Sequence, residues 1–301
     1  MKFMSKYSLI AMFAAVMVAG CDKRELFNSY EPDPADNLLT VAEKQGNLTS
    51  FVAAMKRAQM DTAFAQLGNY TFLIPTDSAF AAAGITPATL NSLPVDLVRT
   101  ILRNHIISGR VRSIDLQLGP NAFYATIGRD SIFSTTYTLG TFFNGQRIVT
   151  LTSSSPAEVF FNGVRVVRAN VLANNGVIHT LGNVLMPATG NLMTTLGAIP
   201  DYSFLVAAIN RAGLATVLNT PSNRFTIFAP TNRAFQDAGF PDIASIEAAD
   251  PAVLSTILRY HCIFARIYAC DVRNGLVRAT VQGGTLAFTV DNNGVQVRGN
   301  G

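Results

Sequence analysis

Charge is scarce in this chain of 301 residues: 14% are Asp, Glu, Lys or Arg, against 49% apolar, and histidine and cysteine occur three times each. That balance suits packed cores and excludes intrinsic disorder, which needs low hydrophobicity and high net charge. The 22 Gly and 13 Pro follow no three-residue period, which excludes a collagen-like rod. The formal charge of +4 includes Lys2 and Lys6, and removing these two from the 23 basic residues leaves 21 against 19 acidic ones. A surplus that small gives no basis for a nucleic-acid partner. Catalytic signatures are also missing: there is no GxSxG elbow, no GxxxxGK phosphate loop, no HExxH and no GxGxxG. Carboxylates are scattered, and three histidines are too few for a dedicated metal site. His261 and Cys262 are adjacent, but neighbours on a helix point about 100° apart and chelate poorly. The expectation is a protein that is not an enzyme and holds neither cofactor nor metal.

The N-terminus reads as an address. Lys2 and Lys6 form a positive start, Leu9 to Val18 is an uncharged apolar run, and Val18-Ala19-Gly20-Cys21 ends it with small residues. This is the plan of a secretory signal over residues 1–20, too short to span a bilayer. The small residues before Cys21 resemble the bacterial lipobox, where signal peptidase II cuts ahead of a cysteine that is then lipidated, here with palmitate or similar chains. The alternative is an ordinary secreted protein with Cys21 unmodified. Each acyl CH₂ buried in the membrane contributes about 0.8 kcal/mol, so several chains anchor firmly. Residues 21–36 are polar and carry two prolines, as a tether does. No later segment reaches the roughly 18 apolar residues of a membrane span. The expected location is the bacterial cell envelope, lipid-anchored at the outer membrane and facing the periplasm or the surface, so the membrane is one partner. With Cys21 lipidated, Cys262 and Cys270 form an even pair in an oxidising space. A disulfide between them and two independent buried thiols both remain open.

The chain then repeats itself. Tyr70-Thr-Phe-Leu-Ile-Pro-Thr-Asp-Ser-Ala-Phe80 matches Phe225-Thr-Ile-Phe-Ala-Pro-Thr-Asn-Arg-Ala-Phe235 at an offset of 155. Leu97, Val98, Ile101, Leu102 and His105 match Val253, Leu254, Ile257, Leu258 and His261 at an offset of 156. Two separate blocks at nearly one offset indicate a duplicated domain. The first block is a β-favouring run stopped by proline, with Thr76 or Thr231 placed to cap a following helix. Asp77 in the first turn of that helix favours the positive end of its dipole, and Asn232 does not. The second block has the period of one buried helical face, which makes His105 and His261 packed residues. Leu48, Val52, Met55 and Lys56 mark an amphipathic helix ahead of the first block, and Leu205, Ala208, Ile209 and Ala212 its counterpart. Later the pattern turns to strands at Ile148–Leu151, Glu158–Phe161 and Val164–Val167, with a turn at Asn162-Gly163, and at Leu286–Val290 and Val295–Val297 around Asn293-Gly294. Helices first and an antiparallel sheet later define an α+β class. The domains expected are 37–188 and 197–301, joined by a linker at 189–196.

These blocks resemble fasciclin (FAS1) domains. FLIPTDSAF and FIFAPTNRAF are similar to the family's first signature, Asn104-His105 and Tyr260-His261 to its Tyr-His segment, and Ala169 to Pro187, which contains His179, to its second signature. Position 104 departs from the usual Tyr. The resemblance implies a β-wedge or sandwich with helices packed on it, in two tandem copies. It further implies adhesion or extracellular contacts with a protein or glycan, without catalytic machinery or cofactor. Aligning Asn293–Val297 with Asn162–Val166 leaves nothing opposite Val171–Pro187, so a truncated gene model or fragment is the favoured explanation, and a naturally open sheet edge the other. Asp61-Thr-Ala, Asp77-Ser-Ala and Asp130-Ser-Ile resemble an O-glycosylation tripeptide of some Bacteroidetes. The candidate contact residues are Arg165, Arg168, Asn170, Asn174 and Asn175, which also suit solvated turns. The rival classes are a structural envelope component without a ligand and an envelope hydrolase.

Overall fold

The computed structural model of the chain describes residues 36–300, apart from 66–67, 118, 129–130, 139–141, 144–145, 148–156, 189, 221 and 292–293. Cys21, nearly all of the expected signal and tether, the strand expected at Ile148–Leu151, Asp130 and Asn293 lie outside the described residues. The first copy opens with helices α1 (Leu38–Lys44), α2 (Thr49–Arg57) and α3 (Asp61–Ala65), then strand β1 (Tyr70–Pro75). Helices α4 (Asp77–Ala82), α5 (Pro87–Ser92) and α6 (Val95–Asn104) follow, then strands β2 (Ile106–Ser108), β3 (Gly119–Ala125), β4 (Ser131–Thr138), β5 (Phe142–Phe143), β6 (Gln146–Arg147), β7 (Ala157–Phe161), β8 (Val164–Ala173) and β9 (Gly176–Leu181).

Seven of these strands form one sheet in the order β2-β1-β9-β8-β7-β4-β3. Only the β1–β9 pair is parallel. A bridge between Ile107 and Thr126 brings the two ends of the sheet together, curling it toward a barrel. Side chains along a strand alternate between faces, and on β1 both faces are covered. Phe72 and Ile74 pack with Phe51, Leu102 and Ile178 under the helices, whereas Leu73 joins Ile132, Phe161 and Leu185 inside the curl. All of β9 is buried, as a strand covered on both sides must be. Asn162 and Gly163, both at positive φ, make the tight β7–β8 hairpin.

The second copy comprises helices α7 (Leu192–Gly197), α8 (Ser203–Arg211) and α9 (Ala215–Asn219), strand β10 (Thr226–Ile227), and helices α10 (Asn232–Asp237), α11 (Ile243–Ala248) and α12 (Pro251–Tyr260). Strands β11 (Cys262–Ile263), β12 (Val277–Ala279), β13 (Thr285–Asp291) and β14 (Gly294–Asn300) complete it. Its strands form a β10–β11 pair and a β12-β13-β14 sheet. The same small devices recur at the repeat offset. Thr71 Oγ donates to the Gly109 carbonyl and accepts from Val111 N–H, and Thr226 Oγ does the same with Ala265 and Ile267. Residues 192–197, assigned above to a linker and the first residue of the second domain, are helix α7, with Asn191 capping Thr194 N–H and Leu196 in the second core. Their Thr and Gly content reads as a connection, yet the cap and one buried leucine are enough to order the turn.

Gly176 sets a close approach in the first sheet. An added Cβ there would lie 2.2 Å from the Tyr70 carbonyl oxygen, its parallel partner, and 2.8 Å from Leu38 Cδ1. Gly176→Ala is therefore expected to lower stability by about 2–4 kcal/mol in urea unfolding. An unchanged midpoint would show that β1 and β9 sit farther apart.

Candidate functional site

The first motif forms a strand, a turn and a helix start in each copy. Thr76 Oγ accepts from Ala79 N–H at 3.2 Å, and Thr231 Oγ from Ala234 N–H at 3.3 Å. Asp77 acts beyond its own helix: its carboxylate accepts from Thr49 N–H and Oγ and from Ser50 N–H, at 3.2, 2.8 and 2.7 Å, capping α2. Burial pushes its pKa up, but the hydrogen bonds from Ser50 and Thr49 outweigh it and hold the carboxyl below its ordinary value. Asn232 fills the same slot against α8, accepting from Phe204 N–H at 2.9 Å and donating to Ser203 Oγ and the Pro200 carbonyl. The residue at this position thus joins two helices in both copies.

The histidines are held from within. His105 is fully buried; its Nδ1 lies 2.8 Å from the Ile101 carbonyl and its Nε2 accepts from Leu185 N–H at 2.9 Å. Those partners require the proton on Nδ1. Asn104, buried beside it, donates to the Leu185 carbonyl at 3.0 Å. Asn104 and His105 therefore clamp both backbone groups of Leu185, which gives the Asn at position 104 its work. In the second copy Tyr260 donates its hydroxyl to the Thr285 carbonyl at 3.1 Å, and its ring lies where a Cβ on Gly284 or Gly299 would stand. His261 is partly exposed, with Nδ1 2.9 Å from the Ile257 carbonyl. His179 is buried on β9, its Nε2 2.8 Å from the Val111 carbonyl and its Nδ1 without a partner.

The candidate contact residues divide. Asn175 is corrected: it is wholly buried, accepts from Leu38 N–H and donates to the Phe64 carbonyl, both at 2.8 Å, so it offers nothing to a partner. Asn170, at positive φ beside a β-bulge, accepts from Ser113 N–H at 2.8 Å and donates to Ser113 Oγ at 2.6 Å. Arg168 donates to Gln45. Arg165 is exposed and lies 3.8 Å from Glu158, and Asn174 is exposed at the β8–β9 turn. The structure thus does not gather the five into one surface patch. Cys262 and Cys270 are not joined in a disulfide, and Cys262 is buried.

Sequence reasoning missed a cleft where the copies meet. Phe133 on β4 is almost fully buried, and the guanidinium carbons of Arg224 and Arg266 lie 4.9 and 4.4 Å from its ring centre. Tyr268 from the second copy donates its hydroxyl to Asn162 Oδ1 of the β7–β8 turn at 3.0 Å. With Ser222, Phe264 and Ala265 these arginines line a cleft of about 300 Å³. Phe133 and Arg266 are far apart in sequence and belong to no motif, so only the fold brings them together.

A family model described as the fasciclin domain matches residues 46–187 and again 200–300. The chain belongs to the fasciclin domain family and carries two copies in tandem. Among curated relatives, the transforming growth factor-beta-induced protein ig-h3 of Oryctolagus cuniculus is 26% identical over 261 residues, 86% of this chain and 34% of that protein. Homo sapiens periostin is 25% identical over 236 residues, 77% of this chain and 26% of that protein. Protein sll1483 of Synechocystis is 27% identical over 168 residues, 55% of this chain and 82% of that protein. The chain thus spans about a third or less of the length of these two animal relatives. A solved FAS1 domain pair from the insect cell adhesion molecule Fasciclin I aligns with a TM-score of 0.37 and 19% identity, covering 85% of this chain and 89% of that one.

Burial pulls both His105 and His179 down to about 4 from the ordinary 6.5, against the opposing pull of the Ile101 and Val111 carbonyls. The unfolded chain then binds more protons than the folded one between those values. The stability these groups give is complete above about pH 6.5 and falls as pH drops toward 4, by roughly 3 kcal/mol for each. Urea unfolding across pH 4–7 is expected to show that slope, about halved in His179→Gln; a flat profile would place both imidazoles in contact with water. Burial likewise raises the Cys262 thiol to about 11. Iodoacetamide is expected to spare Cys262 in the native protein and to label it after denaturation, as peptide mass spectrometry can read.

Proposed function

We propose that the chain is a lipid-anchored protein of the bacterial cell envelope. It presents two fasciclin domains for non-covalent contacts with an extracellular protein or glycan, and it catalyses nothing. The observation that carries this reading is the inward use of the motif residues. Asp77, His105 and His179 bond backbone groups of their own domain, and two of the three are fully buried. An acid–base pair needs to converge on a cleft, and neither buried imidazole lines the cleft between the copies. What remains for recognition is the outer surface and the junction of the copies. No helix among the described residues is long and apolar enough to cross a membrane, and in this reading the chain is held at the membrane through Cys21.

Cells producing the full chain test both parts. Cys21→Ser is expected to move the protein from the membrane fraction to the soluble one. Cells bearing the natural sequence are expected to be retained, saturably, on some members of an array of glycans and matrix proteins. Membrane retention of the Ser variant would remove the anchor, and no retention on any surface would favour a purely structural envelope component.

A further inference from the structure

The cleft between the copies has the chemistry of a binding site. The guanidinium carbons of Arg224 and Arg266 stand over the Phe133 ring, and both arginines line the cleft. Among the described residues neither has a carboxylate within ion-pairing distance, in contrast to Arg99, Arg112 and Arg233. The counterpart of Arg266 in the first copy is Arg110, which donates to the Ala173 and Asn174 carbonyls at the β8–β9 turn. Arg266 instead turns to the other domain, over the ring of Phe133. Ser222 adds a hydroxyl to the lining, and Phe264 adds a ring that is 63% exposed and held edge-on by Phe225 at 5.0 Å.

We propose that this cleft binds an acidic saccharide unit, with its carboxylate or sulfate held by Arg224 and Arg266 and its apolar ring face laid on Phe264. The proposal deepens the glycan branch of the function above and rests on it. Guanidinium forks match planar carboxylates and sulfate oxygens, and the flat exposed ring suits the C–H face of a sugar. A volume near 300 Å³ is at the small end of ligand pockets, which fits a terminal or single-unit grip on a longer polymer. An extended peptide is less suited, because β4 is already paired on both edges and cannot accept another strand.

The test titrates the full chain, purified in detergent micelles, with four probes: a galacturonate hexamer, a heparin-derived hexasaccharide, a neutral glucan hexamer and hexaglutamate. Binding of the galacturonate, the heparin fragment or both, weakening with salt, is expected, and the two acidic sugars separate carboxylate from sulfate recognition. Arg224→Gln with Arg266→Gln is expected to weaken it about tenfold or more, and Phe264→Ala several-fold, while Arg278→Gln on β12 leaves it unchanged. Melting curves identify any variant that fails to fold, and Lys at both arginine positions then serves in its place, keeping the charge while losing the fork. Failure to bind either acidic sugar, equal binding by the glucan or hexaglutamate, or full affinity in the folded double variant would overturn the proposal. If cells bearing the double variant still adhere to the array, the cleft falls and the adhesive reading stands; if cells with the natural sequence do not adhere at all, that reading falls by itself.

Discussion

The parallel pairing of β1 with β9 is the constraint on which the first domain rests. Both strands are buried on both faces, so one helical layer and the interior of the curled sheet meet across them. The pair joins the first strand of the domain to its last, and the chain must close about a hundred residues of intervening structure before it forms. Three local features make the closure specific. Gly176 lets the backbones approach, Asn175 ties the β8–β9 turn to the start of α1, and the Asn104–His105 clamp fixes Leu185 just beyond β9. A strand buried on both sides cannot slip by one residue without exchanging its two packed faces.

What could be read from the sequence was local. Pro75 ends a strand and Thr76 caps a helix because those effects act within a few residues, and the same spelling at Pro230 and Thr231 exposes the duplication. The bond from His105 to Ile101 spans one helical turn and follows from spacing, whereas the bond from Leu185 joins residues 80 apart and does not. Asn170 and Asn175 looked like surface residues because polar side chains usually are. Here β-bulges break the alternation of β8, and each amide satisfies backbone groups inside the fold. The cleft at the junction left no trace in the sequence, since its parts come from two domains and belong to neither repeat motif.

Duplication has left matching slots with different occupants. Asp77 and Asn232 both bind the start of a neighbouring helix, one as a carboxylate and one as an amide. Asn104 grips a backbone inside its own core, and Tyr260 reaches across glycines to a strand. Arg110 serves its own turn, and Arg266 serves the other domain. The scaffold positions are kept by packing, and polar occupants vary where a different partner can satisfy them.

The attachment of α1 has a mechanical consequence. Tension on the chain ahead of Asp36 does not first meet a free helix end. Asp36 pairs with Lys44 and its carbonyl accepts from Asn174 N–H, while Leu38 N–H is held by Asn175. The pull is first taken by the two bonds to the β8–β9 turn. Once they part, it enters at the start of β1 while the chain leaves from the far end of β9, so the bonds of this parallel pair are then loaded together in shear instead of one after another.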